Sequence, residues 1–124
     1  MMDIRLSLYY LVIYTDNLPD DIGGQARGPV VLIKNKYRAD VGLLAHELTH
    51  VTQWWLTLGL HSLAYLCARP YRLWSEVAAY REQMQHPDGN GQRMTAEQAA
   101  SCLMLPRYNF NLTAAEALAA ITGT

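Results

Sequence analysis

Residues 40–58 read DVGLLAHELTHVTQWWLTL. No proline interrupts the stretch, Asp40 can cap its start with a side-chain oxygen, and Gly59 follows it, so a helix is expected from Val41 to about Leu58. On a helix, residues four apart lie about 40° apart around the axis and roughly 6 Å apart along it. His46 and His50 therefore project side by side and can offer two imidazole nitrogens to one metal ion. Glu47 points about 100° away from His46. It can flank that ion and hold a water without being a ligand.

Working outward, residues 4–14 (IRLSLYYLVIY) are β-branched and aromatic and fit a strand. Residues 15–28 (TDNLPDDIGGQARG) carry turn chemistry, and 30–34 (VVLIK) make a second strand entered through Pro29. After the long helix, a short one is expected before Pro70 and another from about Arg72 to His86, with 87–94 (PDGNGQRM) a loop. Thr95 with Gln98 caps a fourth helix. Thr113 with Glu116 caps a last one that ends near Gly123. Strands first and helices after give a small α+β domain, the sheet antiparallel or mixed.

The 124 residues and 14.0 kDa suit a single domain over 1–124. With 51% hydrophobic and 17% charged residues the chain can bury a core. Ten Lys+Arg against eleven Asp+Glu leave a charge of −1, without the basic surplus of a nucleic-acid binder. Cys67 and Cys102 lack CxxC spacing, so buried free thiols and a cytoplasmic location are expected. The start of the chain has no convincing secretory cleavage site. Residues 51–68 carry no charge, yet are too short and polar for a bilayer span. They are expected to be buried or to face a protein partner.

A stable metal site needs a third ligand. The metzincin arrangement would place Gly at 53 and His at 56, and Gln53 and Leu56 close that route. A glutamate on a later, antiparallel helix is the other solution. Glu76 lies 26 residues after His50, beside the small Ala78 and Ala79 that let helices approach. Glu82 is the fallback ligand. Glu97 and Glu116 sit at helix starts; His61, in an apolar stretch, and His86, against Pro87 at a helix end, are less suited. Zinc is the ion that matches imidazole and carboxylate donors.

With His46-Glu47-Leu48-Thr49-His50 and a downstream Glu76, the chain resembles zincin metallopeptidases of the gluzincin type. It is most similar to the small single-domain minigluzincins and to short phage or bacterial proteins with an HELxHxxQ helix. The resemblance covers roughly residues 28–84. It implies zinc held by His46, His50 and Glu76, Glu47 as catalytic base, and the strand Val30 to Lys34 lining a cleft where an extended peptide pairs. Thermolysin-like members carry an Asp four residues after the glutamate ligand, to orient the first histidine; here that position is Tyr80.

The expected reaction is peptide hydrolysis. Tyr80, one turn beyond Glu76, is the candidate for the catalytic hydrogen bond to the developing oxyanion, with Tyr71, Arg72 and His61 as competitors. Gln53 either braces His50 or lies on the helix surface. Trp54 and Trp55 cannot both face inward, so one should be exposed or meet a partner. Asp20-Asp21 reads as a solvated turn, not a calcium site. A rival reading is a zincin-fold binding or assembly module with little or no turnover. A deformylase-like site would need an upstream cysteine, and both cysteines lie downstream. The segment from about Pro106 is a candidate to fold across the cleft.

Overall fold

A computed structural model describes residues 3–6, by backbone alone, and 9–123. It is an α+β structure: β1 (Asp3–Leu6), β2 (Leu11–Tyr14), β3 (Gly24–Arg27), β4 (Val30–Ile33), then α1 (Val41–Leu56), α2 (His61–Cys67), α3 (Arg69–Gln83), α4 (Ala96–Leu103) and α5 (Ala114–Thr122). The sheet is mixed, in the order β1-β2-β4-β3. β1 and β2 are antiparallel, β2 and β4 parallel with Val12 opposite Val31, and β3 and β4 antiparallel with Ala26 opposite Val31.

Alternation along the inner strands sends Val12, Tyr14, Val31 and Ile33 inward against Val51 of α1, with Leu43, Leu44 and Leu48 packed around them. A second core joins Tyr80 of α3 to Ala99, Ala100, Leu103, Tyr108, Phe110, Ala117 and Ile121 of the C-terminal segments. Helices α1 and α3 lie between these two cores and pack antiparallel. Gly42 sets their approach: a Cβ there would stand 3.0 Å from the carbonyl oxygens of Gln83 and His86. The Gly42 N–H donates to Pro87 O at 2.9 Å.

Several local expectations hold and others shift. Asp40 caps α1 by accepting from Leu43 N at 2.8 Å. Both capping boxes form, at Thr95 with Gln98 and at Thr113 with Glu116. The single strand expected over 4–14 is two strands paired with each other. The supposed turn over 15–28 contains β3, a strand without β-branched residues, whose pairing comes from β4. Helix α1 stops at Leu56, because Leu58 (φ 54°) and Gly59 (φ 87°) turn left-handed and Gly59 N closes back on Trp54 O. Helix α3 begins at Arg69, ahead of the expected Arg72, since Pro70 fits the first turn where its missing N–H costs nothing.

Neither cysteine is buried. Cys67 ends α2 on an exposed face and Cys102 is half-buried. The uncharged 51–68 segment is not wholly buried either: Leu56, Leu58, Leu60, Leu63 and Leu66 are all exposed. Trp54 is half-buried against Gly28 and Gly59, whereas Trp55 is 48% exposed and donates Nε1–H to Tyr9 O. No described helix is long and apolar enough to cross a membrane.

Candidate metal centre

The antiparallel packing of α1 on α3 brings Glu76 to the two histidines. Its Oε1 lies 3.2 Å from His46 Nε2 and its Oε2 3.3 Å from His50 Nε2. One carboxylate thus spans both rings, which meet edge-to-face with centroids 5.1 Å apart. Glu47 is buried beside them, and the ligand atoms of His46, Glu47 and His50 all fall within 4.8 Å of one another. A cavity of about 500 Å³ opens onto this group.

Electrostatics favour a cation here. Glu47 and Glu76 are two carboxylates only 6% and 3% exposed in one cavity, and buried charge of one sign must be offset. Burial raises the Glu47 carboxyl above its ordinary value, opposed in part by His46 and His50. Burial pulls the same way on Glu76, but hydrogen bonds and charge from the two histidines hold it well below the usual carboxylate range. For His50, desolvation is overcome by the hydrogen bond and charge of Glu76 and by Glu47, which push it up to about 9. The donor set fits a divalent metal: two imidazole nitrogens and one buried carboxylate that spans them.

His50 is braced from behind. The Gln53 amide donates Nε2–H to Ser75 O at 3.3 Å, which turns its Oε1 toward the imidazole. His50 Nδ1–H then donates to that oxygen at 3.1 Å, and Ser75 Oγ donates to the same atom at 2.5 Å. With Nδ1 committed to Gln53, Nε2 is the nitrogen that faces Glu76; it donates its proton to the carboxylate here and would give that proton up to a metal. His46 has no such brace. Its Nδ1 is buried without a hydrogen-bond partner, and the ring rests edge-on against Tyr80, centroids 4.4 Å apart.

Neither family models, nor curated proteins, nor solved structures give a match to this chain.

The structure brings His46, Glu47, His50 and Glu76 together as their spacing predicts, and Tyr80 lines the same cavity. The Tyr80 hydroxyl, however, is paired with Tyr108 OH at 2.7 Å. The fallback Glu82 lies elsewhere, 3.5 Å from His86 on a solvated face. Of the competing donors, Arg72 is occupied by the carbonyls of Tyr108 and Tyr65, and Tyr71 hydrogen-bonds His61 Nδ1 at 2.7 Å. His61, read from sequence as part of an apolar stretch, is buried at the cavity with its ring 5.6 Å from His50. Burial lowers it to about 4, so it is neutral.

The edge of the cleft is corrected as well. Strand β4 (the expected Val30–Lys34 strand) is paired on both sides, and β3 lines the cavity with its outer edge free of any described strand. Gly24 of β3 lies against Glu47: a Cβ there would be 3.3 Å from Glu47 Oε2. The sequence assigns no site role to Ser75 or Arg107 and reads Tyr65, with the tyrosines between 65 and 80, as core; all three belong to the site. Tyr65 OH donates to Glu76 Oε2 at 2.5 Å. The segment from Pro106 does reach the cleft, since Arg107 and Tyr108 line the cavity.

Proposed function

We propose that the protein is a zinc-dependent metallopeptidase of the gluzincin type, with zinc held by His46, His50 and Glu76. The observation that carries this reading is the Glu76 carboxylate spanning both Nε2 atoms with buried Glu47 alongside. Zinc bound there would supply a Lewis acid and an acidified water. Glu47, its proton affinity raised by burial, accepts a proton from the attacking water and returns it to the departing amine. Tyr65, whose hydroxyl lies at the ligand carboxylate, is nearer than Tyr80 and would donate to the carbonyl oxygen by exchanging its bond to Glu76. Tyr80 acts by holding the His46 ring. Strand β3 offers an edge free of any described strand, with Gly24 opening it toward Glu47, for an extended peptide to pair.

The unbraced Nδ1 of His46 favours a second reading, a zincin-fold binding or assembly module with weak turnover. Glu47→Gln separates the two. It should leave zinc bound and abolish cleavage of a peptide library that the wild type cuts. A wild type that binds zinc and cuts nothing would establish the second reading. Glu76→Ala should lose zinc, and unchanged metal content would remove Glu76 from the ligand set.

A further inference from the structure

Arg107 is the one Lys or Arg among the residues lining the cavity that holds His46, Glu47, His50 and Glu76. It belongs to the short turn Pro106–Tyr108 and packs over the Tyr108 ring, 5.1 Å from its centroid. Its Nη1–H donates to Asp21 O at 3.1 Å and its Nη2–H reaches Tyr108 OH at 3.5 Å. Among the described residues neither hydrogen-bond partner of the guanidinium is a carboxylate.

Asp21 precedes Gly24 by three residues, which puts the guanidinium beyond the N-terminal end of β3. Gly24, the first residue of β3, is the one that faces Glu47. A peptide pairing antiparallel to β3 runs in the opposite direction, so residues following the bond opposite Glu47 extend toward Arg107. Two buried carboxylates make this cavity hostile to an anion unless a cation offsets them. The fork of an arginine is suited to that, because it meets a carboxylate with two parallel N–H donors.

We propose that Arg107 makes the site selective for a substrate carboxylate on the leaving-amine side of the scissile bond. That carboxylate is either the C-terminus of a short peptide or an Asp or Glu side chain. The inference rests on the peptidase reading for the direction of the peptide.

The test uses zinc-loaded Glu47→Gln protein, so that probes bind without being consumed, titrated calorimetrically. The probes are an N-acetylated alanine-leucine tetrapeptide with a free C-terminus, its C-terminal amide, and two further amides ending in glutamate or glutamine. At least one carboxylate probe should bind about tenfold or more tightly than its neutral twin, and which pair differs identifies the source. Adding Arg107→Gln, which keeps an N–H for the Asp21 carbonyl but removes the charge, should bring the twins within about twofold. Arg107→Lys should keep part of the preference. Equal binding of the twins, or a preference that survives Arg107→Gln, overturns the proposal. Hydrolysis by the wild type is read separately. Arg107-dependent preference without any turnover would keep the carboxylate site and remove the peptidase reading.

Discussion

The sharpest check on the metal centre is Gln53→Ala. Gln53 is 3% exposed and does not touch the metal position; its Oε1 accepts from His50 Nδ1 while its Nε2 is tied to Ser75 O. Removing it deprives the His50 ring of its main brace, and a neutral hydrogen bond is worth about 1–1.5 kcal/mol, or roughly tenfold in affinity. Ser75 Oγ, 3.0 Å from Nδ1, remains as a substitute acceptor and limits the loss. Zinc affinity should therefore fall by about tenfold, the lower end of what such supporting partners contribute. The double variant Gln53→Ala/Ser75→Ala should move toward about a hundredfold. The assay is competition against a chromophoric chelator, with a thermal melt alongside to confirm folding. A folded Gln53→Ala protein that binds zinc within about twofold of the wild type would refute the claim that this bond orients His50.

Three further outcomes follow from the same geometry. In chelator-treated protein, His50 is pushed up to about 9, so its contribution to stability is present at low pH and fades as pH rises through that value. The depressed Glu76 contributes above the ordinary carboxylate range and loses this on acidification. Raised Glu47 adds a loss of stability as pH rises above the ordinary carboxylate range. Melting temperature without metal should thus peak near pH 4.5–6.5, between the ordinary glutamate and histidine values, and a flat profile up to about pH 9 would contradict these assignments. Gly42→Ala would put a Cβ 3.0 Å from two backbone carbonyl oxygens and should cost about 1–3 kcal/mol in denaturant unfolding. Leu58→Asn should raise the melting temperature, by relief of part of about 1–2 kcal/mol of left-handed strain, since Leu58 is 91% exposed at φ 54° and loses no packing.

Features set by neighbours along the chain were legible in the sequence. The Asp40 cap, the boxes at Thr95 and Thr113, and the one-turn spacing of His46 and His50 are all local, and each forms. Glu76 was found by a coarser argument, the chain length needed for a helix to return antiparallel. Features made by tertiary pairing were not legible. Strand β3, Gly24-Gln25-Ala26-Arg27, has little strand propensity, and it exists because β4 supplies the partner. Tyr65, Ser75 and Arg107 share no period with the histidines and reach the same cavity or its ligands only through the tertiary fold. His61 looked like part of an apolar run because its polar partner, Tyr71, lies ten residues away.

The latch between the ligand-bearing helices has a consequence for how the centre would be loaded. Gln53 and Ser75 join α1 to α3 directly, and Gly42 docks on Pro87 at the far end of the same pair. These bonds are made by groups that need not coordinate anything, so the scaffold stands before its cargo arrives. Such a protein would receive an ion as a late passenger, by exchange for protons, unlike a zinc finger that must wait for its metal to fold. Dialysis against a chelator should therefore yield an idle but intact molecule, ready to be charged again.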